Sequence, residues 1–143
     1  MTLSPSVLSV PMAPGVLPRC AEARCVVRSN LPVNGEYRLL TLDAPPEVLD
    51  CQPGQFFQLL CPEPEGEHPF LRRPMSIYGY DAEAGQLQFL YKVAGAGTRG
   101  LATLRPGGML NVLGPLGQGF SMPQPWQDLL LVARGVGLAT LAP

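Results

Sequence analysis

Between residues 20 and 113 the sequence is cut by turn signals into short runs that alternate like half-buried strands, and this punctuation limits the fold more than any other feature. Residues 20–29 set Ala21, Ala23, Cys25 and Val27 against Glu22, Arg24, Val26 and Arg28. Asn34-Gly35 is a hairpin-turn signal, and residues 36–42 then place Tyr37, Leu39 and Thr41 on one face. Ala44-Pro45-Pro46 breaks the pattern, Pro53-Gly54 opens an apolar run over 55–61, and residues 62–69 form a polar loop. Further strands are expected over 73–80, 85–94 and 109–113. A short helix is expected over 98–104, with Thr98 as its N-cap, ended by Arg105-Pro106-Gly107-Gly108.

Six short strands in roughly 95 residues, with one short helix late in the order, predict an all-β domain: a six-stranded antiparallel Greek-key barrel. Closure removes unpaired strand edges, and a two-sheet sandwich is the alternative. From Asp128 the character changes. Leu129-Leu130-Leu131-Val132-Ala133 is a continuous apolar run, as expected of a strand buried on both faces. It leads into Arg134-Gly135-Val136-Gly137-Leu138-Ala139, which resembles the first strand and glycine turn of a nucleotide-binding α/β domain. The expected organisation is a Pro-rich flexible tail (1–18), a barrel (19–120), and a linker with the first strand and turn of an incomplete α/β domain (121–143).

Hydrophobic residues make up 46% of the 143 residues, so the chain has the means to build one core. Charged residues are only 15%, which is sparse and suggests a surface covered by a cofactor, another domain or another subunit, self-association included. A net charge of −1 gives no footprint for nucleic acid. No apolar run reaches the roughly 18 residues of a membrane span. The N-terminal stretch has no basic residue before Arg19 and carries Pro5, Pro11, Pro14 and Pro18, which argues against a secretory signal and for a cytoplasmic protein. Cys20, Cys25, Cys51 and Cys61 lack the tight pairing of a zinc or iron–sulfur site and read as small hydrophobes. His68 stands alone in a polar loop and reads as a surface residue, so no metal site is expected.

Three clusters can carry chemistry. In Arg72-Arg73-Pro74-Met75-Ser76, an arginine at a strand start can fork onto phosphate oxygens. Pro74 stiffens the backbone, Met75 offers a polarizable contact to a ring, and Ser76 can hydrogen-bond a ring nitrogen. Read without context, two arginines before a strand are a solvated edge. Leu90-Tyr91-Lys92 ends the next strand and reads equally as core plus a surface lysine. Gly95-Ala96-Gly97-Thr98 precedes the helix, where successive backbone N–H groups attract an anion, and it also reads simply as a helix start.

Taken in order, the motifs Leu71-Arg72-Arg73-Pro74-Met75-Ser76-Ile77, Gly95-Ala96-Gly97-Thr98-Arg99-Gly100-Leu101 and Gly114-Pro115-Leu116-Gly117-Gln118-Gly119-Phe120 resemble the FAD-binding barrel of the ferredoxin–NADP reductase superfamily. Within it they resemble most the electron-transfer subunits of bacterial dihydroorotate dehydrogenases. The resemblance covers roughly residues 19–141. It implies that Arg73 binds the FAD pyrophosphate and that Pro74, Met75 and Ser76 line the isoalloxazine. It implies that Leu90, Tyr91 and Lys92 hold the flavin edge and ribityl chain, and that Gly97 and Thr98 cap the pyrophosphate. The segment Gly114 to Phe120 joins the barrel to an NAD(P)-binding domain in this family.

The chain also departs from the family. Many relatives carry an aromatic residue where Met75 stands, and Ala133, Arg134 and Thr140 replace Gly, Gly and Pro in the opening run of the second domain. A bulky Arg134 sits where close backbone approach is usual. The iron–sulfur cysteine cluster of the nearest relatives has no counterpart in these residues. The expected function is therefore an FAD-binding module, not a complete enzyme. It passes electrons between a nicotinamide or other donor and a partner oxidoreductase subunit or a missing C-terminal domain. The alternative is a flavin-free barrel acting as a scaffold subunit.

Overall fold

The computed structural model describes residues 20–121 and 127–143, so the tail expected over 1–18 lies outside the described residues. Seven strands form one antiparallel sheet: β1 (Ala21–Pro32), β2 (Tyr37–Asp43), β3 (Phe56–Leu60), β4 (Arg73–Ser76), β5 (Gly79–Asp81), β6 (Gln86–Lys92) and β7 (Met109–Leu116). Their order across the sheet is β4-β3-β7-β1-β2-β6-β5. One α-helix, α1 (Ala96–Thr103), lies between β6 and β7, and 3-10 turns occupy Pro46–Val48 and Gly135–Leu141. No helix among the described residues is long and apolar enough to cross a membrane.

A single curled sheet replaces the sandwich alternative, and the expected six-stranded closed barrel becomes a seven-stranded half-barrel. The strand expected over 73–80 is divided. Its first part pairs with β3, placing Phe56 opposite Ser76 and Leu59 opposite Arg73. Its second part leaves β3 and pairs with β6, placing Gly79 opposite Gln88 and Asp81 opposite Gln86. Ile77 still donates to the Gln55 carbonyl (3.2 Å), whereas Tyr78 donates to the Gln88 carbonyl (2.9 Å). The two edges of the sheet are thus consecutive pieces of one chain. The sheet closes covalently through Ile77-Tyr78, while its hydrogen-bond ladder stays open on one side.

Alternation fills the interior. Leu40 and Leu42 on β2, Phe57 and Leu59 on β3, and Leu87 and Phe89 on β6 are all fully buried. Side chains of this size each contribute about 1.5–3 kcal/mol on burial. Phe57 and Phe89 meet edge to face across the interior, ring centres 5.7 Å apart and planes at 77°, joining two strands that are not neighbours in the sheet. β1 is bulged: Val27 pairs with Leu42 but Ser29 pairs with Thr41, so Arg28 is an extra residue. The bulge switches the face alternation, and after Cys25 and Val27 the next inward residue is Asn30.

The apolar run 129–133 forms no strand, which corrects the expected first strand of an α/β domain. A strand buried on both faces needs neighbours on both sides, and here Leu129 to Val132 are exposed, Leu130 at 85%. The chain instead ends its described path in the 3-10 turn Gly135–Leu141, where Ala139 is buried. Cys25, Cys51 and Cys61 are buried as small hydrophobes, whereas Cys20 is exposed. His68 lies on the exposed loop beside Glu63, with Nδ1 and Oε2 2.9 Å apart.

Candidate functional site

The parting of β4 from β6 leaves a cleft in the hydrogen-bond ladder, and backbone parity says which groups border it. Tyr78 bonds toward β6, so Ser76, two residues earlier, turns its N–H and C=O to the same side, as Pro74 does its C=O. No strand pairs with that edge of β4. Pro74 fits there because its missing N–H costs no ladder bond. On the facing strand, Val93 donates to Glu36 on the β2 side (2.9 Å) and the Gln88 carbonyl serves Tyr78 on the other. Leu90 and Lys92 therefore present N–H and C=O to the side that β5 covers only as far as Gln88. Two backbone edges thus stand without a strand partner, each carrying donors and acceptors at fixed spacing, and the 3-10 turn Gly135–Leu141 packs beside them against β6.

The glycine turn closes one end. Gly95 is the N-cap of α1 and is extended (φ −140°, ψ 177°), so the helix begins at Ala96, two residues before the sequence-based expectation. Thr98 is not the N-cap. Its Oγ1 accepts from the N–H groups of Ala94 (2.9 Å) and Gly95 (3.0 Å) and so fastens the turn. The amides of Ala96 and Gly97 belong to the first turn of α1 and have no acceptor within the helix. No acidic side chain occupies that first turn, so its positive field is unopposed from within α1.

Arg73 lies over this turn. A Cβ on Gly97 would meet Arg73 Cγ and Nε at 2.9 Å each. Arg73 Nη1 donates to the Leu71 carbonyl (2.5 Å), which fixes the side chain. Its Nε and Nη2 find no acceptor among the described residues. The nearby guanidinium pulls the Cys61 thiol down in pKa, but burial outweighs it and raises that thiol to about 11. Arg72 points the other way, as strand alternation requires. It donates to Glu22 Oε1 and Asn111 Oδ1 (2.6 Å each), and Asn111 donates to the same Glu22 oxygen (2.9 Å). One position of register therefore decides which arginine faces the cleft.

The remaining sequence-predicted residues divide. Met75 is half-buried against the core opposite Phe57, and Pro74 is exposed. Ser76 Oγ accepts from Thr140 Oγ1 (2.8 Å), so the 3-10 turn reaches the cleft. Leu90 is half-buried, and Lys92 Nζ pairs with Glu36 (2.8 Å). Tyr91 is 1% exposed and points into the core, its hydroxyl donating to Asn30 Oδ1 (2.9 Å). Its side chain is therefore not brought to the cleft. Burial raises the Tyr91 phenol pKa above its ordinary value, with Asn30 and Arg38 opposing. Asn30 and Arg38 were invisible to the sequence reading as site-shaping residues, since the inward turn of Asn30 depends on the bulge. The glycine segment after β7 is held on the start of β3, where Gln55 Nε2 donates to Gly117 O (2.9 Å) and Phe120 N to Pro53 O (2.9 Å).

The seven-stranded half-barrel, with α1 between its last two strands, is the fold of a family of flavin-binding domains. The chain belongs to the oxidoreductase FAD-binding domain family, whose model matches residues 24–120, within the ferredoxin–NADP reductase-like superfamily. It is 39% identical over 102 residues to the dihydroorotate dehydrogenase B (NAD(+)) electron transfer subunit of Desulforamulus reducens, an overlap of 71% of this chain and 38% of that protein. It is 44% identical over 92 residues to the subunit of the same name from Bacillus cereus (strain Q1), covering 63% of this chain and 35% of that protein. The chain thus spans less than half the length of these relatives. Among solved structures it is similar to an NADH-dependent reduced ferredoxin-NADP oxidoreductase (TM-score 0.70, 26% identity, 83% of this chain and 41% of that one). It is also similar to an Amycolatopsis cytochrome P450 reductase (TM-score 0.69, 25% identity, 90% and 39%).

Proposed function

We propose that this chain binds FAD in the β4–β6 cleft and serves as the flavin module of an electron-transfer oxidoreductase, working between a nicotinamide or other donor and a partner oxidoreductase subunit. The observation that carries this reading is the seating of Arg73 on Gly97, which brings a free guanidinium edge and the first amides of α1 to one point. A diphosphate suits that pairing: the guanidinium neutralises it and the helix amides donate to it. The flavin, when bound, supplies two-electron uptake and one-electron release. The protein's own part is to bind, orient and shield.

The residues divide that labour. Arg73 and Gly97 meet the diphosphate, and Thr98 holds the turn that presents the amides. The backbone edges of Pro74 and Ser76 address the ring from one side, and those of Leu90 and Lys92 address its edge and the ribityl chain from the other, while Tyr91, whose backbone faces β2, serves from the core by holding that strand. Met75 supplies an apolar contact from the β4 wall. Ser76 accepts from Thr140 and keeps its own hydroxyl hydrogen to donate to a ring nitrogen.

The decisive experiment is FAD titration of the purified chain, read by its absorption bands and by flavin fluorescence. FAD lost by Arg73→Ala with unchanged circular dichroism supports the reading. A colourless protein that does not perturb added FAD rejects it. The second reading, a flavin-free scaffold, draws on the Thr140–Ser76 hydrogen bond, which places the 3-10 turn against the cleft. Under that reading Arg73→Ala leaves flavin binding at the wild-type null and instead weakens assembly with a partner.

A further inference from the structure

The bulge at Arg28 brings a polar amide into an apolar interior. Asn30 is nearly inaccessible, and its hydrogen-bonding capacity is filled. Nδ2 donates to the Leu101 carbonyl (2.8 Å) and the Leu104 carbonyl (3.3 Å). Oδ1 accepts from the Tyr91 hydroxyl (2.9 Å) and Arg38 Nε (3.3 Å), while Arg38 Nη2 donates to the Asn30 main-chain oxygen (2.6 Å). Leu101 and Leu104 stand at the C-terminal end of α1, where the Leu101 carbonyl also takes the Leu104 N–H (3.1 Å) and Asn30 adds a second donor. An apolar residue in an unbulged strand would fill the space without this network. What the network adds is a tie from β1 and β2 to β6 and to the end of α1.

That tie matters because α1 has only eight residues and a helix of that length does not hold its own position. Its N-terminus is the turn under Arg73, and its C-terminus is the end gripped by Asn30. Tyr91, gripped by the same amide, lies between Leu90 and Lys92, whose backbone borders the cleft. We propose that Asn30 is a positioning residue for FAD, holding α1 in register with β6 so that the amides of the glycine turn and the backbone edge of β6 address one ligand. The inference rests on the FAD reading given above.

Asn30→Asp tests it in the full 143-residue chain. The substitution keeps size and the acceptor toward Tyr91 and Arg38, but sets a carboxylate oxygen against two carbonyls. The expected result is a dissociation constant for FAD raised about tenfold or more. At saturating FAD, the visible absorption and circular dichroism of the bound ring keep their wild-type shape, because the β4 side of the cleft is untouched. Should Asn30→Asp not fold, Asn30→Ala, which adds no charge, is measured in the same way. Wild-type affinity in a folded variant overturns the proposal. So does an affinity loss accompanied by an altered ring spectrum, which marks general damage to the barrel, and so does failure of both variants to fold. Absence of FAD binding by the wild-type chain removes the functional reading and this inference with it.

Discussion

Arg73 lies across the α-carbon of Gly97, with its Cγ and Nε both 2.9 Å from where a methyl group there would stand. Two segments more than twenty residues apart in sequence therefore meet at a spot with room for no side chain on the glycine, and the contact ties the strand motif to the helix start.

Gly97→Ala separates stability from binding. Gly97 is helical, so alanine stabilises α1 by about 0.5–1 kcal/mol. The added methyl meets a flexible side chain and pushes Arg73 aside rather than breaking the fold. FAD affinity is expected to fall about tenfold while the urea midpoint stays level or rises. A parallel loss of both quantities would show that the glycine serves packing alone.

Gly100 sits one turn further along the same helix, and the opposite result is expected there. A Cβ at Gly100 would stand 1.8 Å from the Pro62 carbonyl oxygen and 2.9 Å from its carbon, both backbone atoms that cannot swing away. The helix gain is outweighed by overpacking of about 3 kcal/mol. Urea unfolding of Gly100→Ala should show that loss, and a midpoint equal to wild type would contradict the close approach.

These two glycines show what the sequence made legible. The run Gly95-Ala96-Gly97-Thr98 marked a helix start, because it follows local rules of turn chemistry, whereas the choice of Arg73 over Arg72 came only from the resemblance of the strand motif to a family. That the two touch is a long-range fact, readable only through the likeness of the ordered motifs to a family. The strand over 73–80 was legible, but not its change of partner at Ile77-Tyr78, which depends on how far the sheet curls. The face of Tyr91 was left open between core and site, and the structure turns it into the core. The face of Asn30 was not legible, because a bulge at Arg28 resets the period and nothing in Arg28-Ser29-Asn30 announces it. The run 129–133 reads as a buried strand on composition, yet a strand of that kind exists only beside the neighbours that bury it.

Burial gives the thiols a pH signature. It raises Cys25, Cys51 and Cys61 from 9.0 to about 11, with Asp50 adding to the effect at Cys51. Each folded thiol holds its proton to higher pH than the unfolded one, so the folded state binds more protons between those values. Stability is then fully present below pH 9, declines as pH rises above it, and is lost through about 11. Unfolding midpoints measured from pH 8 to 11 should fall, and substituting the three buried thiols should flatten the fall. At pH 8 a thiol reagent should modify Cys20 quickly and the buried three only on unfolding.

The apolar run after the barrel offers a test that leaves the cleft intact. Leu130 and Val132 are 85% and 80% exposed, so neither contributes burial energy in this chain. Leu130→Lys with Val132→Lys should shift unfolding by no more than about 0.5 kcal/mol and leave FAD affinity at the wild-type value. Two added charges on an otherwise apolar strip should also raise solubility, measured as the protein concentration at which scattering begins. A large destabilisation would mean that these side chains are packed, and the run would then have to be redrawn as part of the core. Unchanged stability with unchanged scattering would leave the strip exposed but remove it as a source of self-association.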